Sequence, residues 1–233
     1  MPMPANIKAI DLMMGIPSEE RSHWYDYMKP LLLDRESREQ FSMPAQYMFD
    51  VPKIDGITDG TAYTIELMDK HGIERAMVGV FGNPESVHEK AVKAHPQRFF
   101  ASYEANPNLG MDEVRKIRRM KDEYDIRAVT AFPSGTCPQT PINDKRWYPI
   151  YAACVDLDIP ICPCVGVPGP RLPMEPQKVE YLDEVCWFFP ELKVVMRHGA
   201  EPSKTWSGQP RLQTSNELSM SAATAPGLSP KAI

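Results

Sequence analysis

LKVVMRHGAEP, residues 192–202, contains a short strand of the buried type that ends in a histidine. Residues 193–196 form an apolar run with β-branched valines, and Gly199 supplies the turn signal that closes it. His198 therefore falls at the carboxyl end of the strand. In a barrel of parallel strands this end carries the catalytic loops, so His198 is a candidate functional imidazole. A histidine that is hydrogen-bonded within a loop is the alternative.

The sequence before this stretch repeats the order helix and then strand. Apolar runs of strand length alternate with segments of helical spacing, which predicts parallel strands joined by crossover connections. No glycine-rich loop of the dinucleotide or P-loop type follows any of these strands. This absence favours a curled barrel over an open, doubly wound sheet. We predict an α/β, TIM-barrel-like fold that is incomplete, with about six strands, at residues 7–14, 73–80, 98–105, 126–132, 159–166 and 192–198.

Two segments depart from this repeat. Residues 18–52 are rich in aromatic residues and broken by prolines, which predicts an inserted helical loop. This loop either covers the mouth of the barrel or faces solvent. Residues 203–233 have a low-complexity composition and are predicted to be a poorly ordered tail. The barrel domain is therefore assigned to residues 1–202.

The composition of the chain limits which classes of partner and which cellular compartment are expected. The chain has 233 residues and a net charge of −5, which disfavours nucleic acids and anionic membranes as partners and leaves a small-molecule substrate as the better expectation. No apolar run of membrane-spanning length and no secretory signal is recognised, so a cytoplasmic location is expected. Five cysteines, an odd number set mostly in apolar segments, indicate reduced thiols. The open edges of an incomplete barrel favour a homo-oligomer.

Several polar residues fall at predicted strand ends. Asp11 lies near the end of the first strand, and Cys164 belongs to a Cys-Pro-Cys pair that is either a metal or redox site or a set of buried thiols. Glu104 and Arg197 either bind an acidic substrate or pair with neighbouring residues at the rim. The histidines at positions 71, 88 and 95 fall in helices or at helix ends and are predicted to be solvated.

Four segments together resemble the amidohydrolase-related family, the metal-dependent barrels that include aminocarboxymuconate semialdehyde decarboxylase and the resorcylate decarboxylases. The order of the features carries the resemblance: an Ile-Asp strand at the start, a His-Pro before Arg-Phe, a tyrosine-rich helix before a proline-led strand, and a strand ending in His-Gly. The segments are IERAMV, HPQRFFA, INDKRWYPIYAACVDLDIPICPCVG and LKVVMRHGAEP, within residues 6–202.

The resemblance implies a barrel with one divalent metal ion, typically zinc, and hydrolytic or decarboxylating chemistry. The family's first strand carries Asp-x-His-x-His, which is matched here by Asp11, Met13 and Gly15, so both histidine ligands are replaced. The histidine that ends the fifth strand is matched by Cys164. The sixth-strand histidine, a metal ligand or a general acid/base in the family, is matched by His198.

These matches give the expected function. The chain is predicted to be a hydrolase or carboxy-lyase acting on a small carboxylic acid, with His198 and Asp11 as catalytic residues and Arg197 or Arg171 holding the substrate carboxylate. His198 and Cys164 are the candidate ligands for a divalent metal, most readily zinc, if one is bound. The alternative is an inactive barrel remnant that binds a small molecule or another protein.

Overall fold

A computed structural model describes residues 8–18, 26–33, 35, 38 and 57–198 of the chain. At its centre is a sheet of five parallel strands that follow one another across the sheet in chain order. Consecutive parallel neighbours require a crossover connection each, and a helix supplies it between most pairs. The strands are β1 (Ala9–Met14), β2 (Ile73–Gly79), β3 (Phe99–Glu104), β4 (Ala128–Ala131) and β5 (Ile161–Pro163).

Five α-helices accompany the strands. The first two begin at side-chain caps, because Asp59 accepts a hydrogen bond from the Ala62 amide at 3.0 Å and Ser86 accepts one from the Glu89 amide at 3.4 Å. Gly60 allows the chain after β1 to approach closely, since a Cβ atom there would lie 1.9 Å from the Pro17 carbonyl oxygen. The helices are α1 (Gly60–Lys70), α2 (Val87–Ala94), α3 (Met111–Tyr124), α4 (Tyr148–Asp156) and α5 (Tyr181–Phe188).

Residues 192–198 add a sixth segment beside β5. Val194 and Arg197 form parallel bridges with Ile161 and Cys164. The Val195 amide donates to the Ile161 carbonyl at 2.9 Å, and the Arg197 amide donates to that of Pro163 at 2.9 Å. Five strands and this bridged segment agree with the predicted count of about six.

All five helices pack on one face of the sheet. Their apolar side chains join those of alternate strand residues in one large core, whose fully buried members include Met68, Ile117, Trp147 and Ile150. The other face, called the inner face below, is covered by strand residues alone: Leu12, Met77, Phe100, Ala128, Cys162 and Val195. Helices on one face and strand side chains on the other are the arrangement of a (β/α) barrel. The predicted incomplete barrel is therefore confirmed.

The predicted insertion lies largely outside the described residues. Its described part includes a 3₁₀ helix at Asp26–Leu31, and Leu32 packs against Leu172, in the loop that follows β5. This contact places the described part beside the carboxyl ends of the strands. The tail at 203–233 lies outside the described residues. No helix among those described is both long and apolar enough to cross a membrane.

Candidate functional site

The carboxyl ends of β3, β5 and the sixth segment bring three polar side chains together on the inner face. On β3, the Tyr103 side chain packs in the helix-side core, so the next residue, Glu104, points to the opposite face. Cys164 follows β5 in the same alternation, two residues after the inner-face Cys162. Arg197 is bridged to Cys164 across the strands. Each of the three therefore has its position fixed by strand register rather than by a long loop.

Backbone hydrogen bonds hold these strand ends in place. The Cys164 amide donates to the Ala131 carbonyl at 2.8 Å, and the Ala105 amide donates to the Thr130 carbonyl at 2.9 Å. Glu104 stands directly opposite Thr130 in the β3–β4 register. Glu104 therefore lies on the same face as Cys164 and Arg197, with β4 between them, and within electrostatic range of both.

The charges of the three groups act on one another. Burial raises the pKa of the Cys164 thiol to about 11, with Arg197 opposing the rise and Glu104 adding to it. The thiol is therefore protonated at neutral pH. Burial also raises the pKa of the Glu104 carboxyl, and the positive charge of Arg197 counteracts part of this effect. The carboxyl group is thus held closer to neutrality than an exposed glutamate.

The Arg197 Nε and the Glu104 carboxylate both lack a hydrogen-bond partner in the described part of the chain. The Nε atom of Arg197 is buried and has no hydrogen-bond partner there. Among these same residues no amide or hydroxyl donates to the Glu104 carboxylate. A buried guanidinium nitrogen without an acceptor is costly, and such a group is commonly satisfied by a ligand or by water. The inner face therefore offers a donor to an incoming anion.

His198 lies next to this pair at the end of the sixth segment. Its backbone has φ of 67°, in the left-handed region that residues other than glycine seldom adopt. Partial desolvation lowers the pKa of the imidazole, and the charge of Arg197 lowers it further. A neutral imidazole at pH 7 follows, which is able to accept a proton.

The other two predicted site residues lie elsewhere. Asp11 is in the middle of β1, where its Oδ1 accepts a hydrogen bond from the Met13 amide at 2.7 Å. Strand β1 and the sixth segment are at opposite edges of the sheet, so Asp11 is separated from His198 by the width of four strands. Arg171 is exposed in the loop after β5. Cys164, Arg197 and His198 are therefore neighbours, whereas Asp11 and Arg171 are not shown to join them.

A divalent metal does not fit the donors at this site. Within residues 8–18, 26–33 and 57–198, no three His, Cys, Asp or Glu side chains gather in a way that could hold an ion. A catalytic zinc needs about three protein ligands, and here a protonated thiol at Cys164 and the imidazole of His198 are the nearest approach to such a set.

The structure also reveals a set of buried polar side chains that the sequence did not indicate. His88, predicted to be solvated, is 6% exposed, and its Nε2 accepts a hydrogen bond from the Ile16 amide at 3.3 Å. The prediction was wrong because α2 turns this residue toward the loop after β1. Glu89 and Glu113 hold the loops after β2 and β3 in the same manner. We call His88, Glu89 and Glu113 the loop anchors.

Comparisons with known proteins bear on the family and on the fold. A family model described as Amidohydrolase matches residues 59–227, well over half of the chain. No curated protein matches the sequence.

Solved structures with the same architecture are longer chains. An uncharacterised TIM-barrel protein from Bordetella bronchiseptica superimposes with a TM-score of 0.57 at 21% identity, over 84% of this chain and 68% of that one. A 5-carboxyvanillate decarboxylase from Novosphingobium aromaticivorans, crystallised with manganese, superimposes with a TM-score of 0.56 at 15% identity, over 82% of this chain and 66% of that one. This chain thus spans about two thirds of the length of these neighbours. At these identities the likeness concerns the fold.

Proposed function

The chain belongs to the amidohydrolase family, and on this basis we propose that it is a carboxy-lyase acting on a small carboxylic acid at the inner face. One observation carries the proposal: the buried Nε of Arg197 faces the inner side of the barrel with no acceptor from the described residues. A carboxylate is the natural complement of a guanidinium group, because the two form short, charge-assisted hydrogen bonds.

The nature of the neighbouring groups favours carbon–carbon cleavage over hydrolysis. Hydrolysis in metal-dependent barrels uses a water molecule that a metal ion activates, and the described donors do not fit such an ion. Decarboxylation needs no attacking water. It needs an oriented substrate and a proton to replace the carbon dioxide that leaves. A decarboxylase is among the proteins of the same fold, and because it was crystallised with manganese it supports the reaction class and not the absence of a metal.

In this proposal each side chain has a separate task. Arg197 attracts and orients the substrate anion through its guanidinium group. His198, neutral at pH 7, exchanges protons at the rim of the site as a general acid/base. Cys164 lines the floor as a protonated thiol. Strand register holds Cys164 and Arg197, and His198 follows directly after Arg197.

The proposal is tested by carboxylate binding and by release of carbon dioxide. Arg197→Met keeps the length of the side chain and removes its charge, and we expect benzoate affinity to fall about 10- to 100-fold, the size of a lost charged hydrogen bond. Arg118→Met is the matched control, since Arg118 pairs with Asp156 on the helix side of the barrel. A panel of small aliphatic and aromatic carboxylic acids is then assayed for carbon dioxide release.

The possible outcomes separate the candidate functions. Carbon dioxide release that Arg197→Met weakens mainly through KM supports the carboxy-lyase. Hydrolysis of an amide or ester of the same acids, with no carbon dioxide, would show the other activity of the family. Equal benzoate binding by the wild type, Arg197→Met and Arg118→Met would refute the anion site itself.

A further inference from the structure

A second residue on the inner face has the placement of a proton donor. Glu104 ends β3 on the same face as Arg197, and its carboxylate lies close enough for Arg197 to influence its charge without forming an ion pair among the described residues. The two side chains therefore carry opposite charges when Glu104 is ionised, but they do not touch in the described part of the chain. Both residues are half-buried, the Nε atom of Arg197 is buried and unpartnered among the described residues, and opposite charges at this depth attract one another more strongly than on the surface.

The buried glutamates on the other side of the sheet show what a structural carboxylate looks like in this fold. Glu89 accepts hydrogen bonds from three backbone amides, those of Phe81, Gly82 and Asn83, at 2.6, 2.9 and 3.2 Å. Glu113 accepts from the Tyr103 hydroxyl at 2.8 Å and from the Asn106 amide at 2.8 Å. Glu104 has none of these contacts from the described residues. Within the described residues, Glu104 is therefore not held by backbone amides as Glu89 and Glu113 are.

We propose that Glu104 is a further catalytic residue, which gives the proton that replaces carbon dioxide on a substrate anion held by Arg197. This inference rests on the function proposed above. It adds the residue that completes the reaction on the inner face.

The reaction balances with these two side chains. The carbon–carbon bond to the carboxylate breaks, carbon dioxide leaves, and the electron pair stays on the substrate carbon. That carbon takes the proton of the Glu104 carboxyl group, and a new carbon–hydrogen bond forms. Glu104 becomes a carboxylate, which the positive charge of Arg197 stabilises, and solvent returns a proton before the next turnover. No oxidant or reductant takes part.

Desolvation prepares Glu104 for this task. Burial raises the pKa of its carboxyl group, which increases the protonated fraction near neutral pH. The titratable and charged groups around it are Arg197, Cys164 and the adjacent Tyr103. The thiol stays protonated, and burial together with Glu113 raises the pKa of the Tyr103 hydroxyl, so neither competes for the proton.

The test replaces Glu104 in two ways. Glu104→Gln has the same shape and no transferable proton, whereas Glu104→Asp keeps the acid on a shorter side chain. We expect Glu104→Gln to lower kcat for carbon dioxide release by at least about 100-fold with KM changed less than about threefold, because general acid catalysis contributes on this scale. Glu104→Asp should recover part of the loss. Glu74→Gln, on the exposed start of β2, is the matched control.

Binding of benzoate keeps the inference testable if no acid is decarboxylated. In that case the proposed reaction fails, but Glu104 still faces the bound anion. Its ionisation at alkaline pH should therefore weaken benzoate binding by the wild type at least threefold, and Glu104→Gln should remove this loss whereas Glu74→Gln keeps it. The same pH dependence of benzoate affinity in Glu104→Gln as in the wild type would overturn the placement of Glu104 against the ligand. Carbon dioxide release by Glu104→Gln within threefold of the wild-type rate would overturn its catalytic role.

Discussion

The two faces of the sheet treat buried polar groups differently. On the helix side, each loop anchor accepts backbone hydrogen bonds from a loop that follows a strand: His88 after β1, Glu89 after β2 and Glu113 after β3. On the inner face, Glu104 and Arg197 lie within each other's electrostatic reach, yet the described chain gives neither the Glu104 carboxylate a donor nor the Arg197 Nε an acceptor. One face uses its polar groups to fix the loops. The other leaves the Arg197 Nε and the Glu104 carboxylate without a partner among the described residues, whereas on the helix side only the second oxygen of Glu113 is in that position among the loop anchors.

The largest effect is expected from Glu89→Ala. This substitution leaves three backbone amides in part-buried hydrogen bonds without their acceptor, and it also removes the partner of the Ser86 hydroxyl. We expect the free energy of unfolding to fall by about 2–4 kcal/mol, because a typical hydrogen bond contributes on the order of 1 kcal/mol and water only partly replaces the lost acceptor. Urea unfolding followed by circular dichroism measures it. A loss below about 1 kcal/mol would mean that Glu89 does not anchor the loop.

Glu104→Gln provides the opposite case on the inner face. For Glu104 the cost of removing the charged carboxylate from water outweighs its attraction to Arg197. A neutral amide of the same shape avoids this desolvation cost. We expect the free energy of unfolding to rise by about 0.5–2 kcal/mol, the usual gain when a functional site is relaxed. Thermal unfolding of Glu104→Gln beside Glu89→Gln measures the contrast. A loss of stability in both variants would erase the difference between the two faces.

Much of the architecture could be predicted from the sequence, because short apolar strands and segments of helical spacing alternate in order along the chain. The stretch at residues 192–202 placed Arg197 and His198 at a strand end, and the structure agrees. The grouping of Glu104 with Arg197 could not be predicted. It depends on the register of β3, β4 and β5, which a single sequence does not reveal.

The loop anchors escaped prediction for a different reason. Glu89 and Glu113 lie in the first turns of α2 and α3, where a glutamate ordinarily indicates a solvated residue that interacts with the helix dipole. Their burial follows from how each helix packs on the sheet. The Asp11 carboxylate accepts a hydrogen bond from its own strand, and its catalytic role stays a prediction. Local patterns thus locate strand ends better than they separate anchoring side chains from reactive ones.

The smallest effect in this comparison is a pH dependence from His88. Burial lowers the pKa of its imidazole below 6.5, with Glu89 opposing the shift, and the neutral ring accepts the hydrogen bond from the Ile16 amide. Below about pH 6.5 the unfolded chain takes up a proton that the folded chain resists, so stability is full above this pH and declines as the pH falls.

The loss should reach about 1 kcal/mol, the net value of one buried hydrogen bond. Urea unfolding at pH 7.5 and pH 5.5 measures it, and His88→Gln should show a smaller difference between the two pH values, because an amide offers the Ile16 amide an acceptor that does not titrate. His71→Gln, at the exposed end of α1, is the control that should keep the wild-type dependence. If His88→Gln kept the wild-type pH dependence of stability as well, His88 would hold the loop after β1 without making stability depend on pH. The difference between the helix side and the inner face would then rest on Glu89, Glu113 and Glu104 alone.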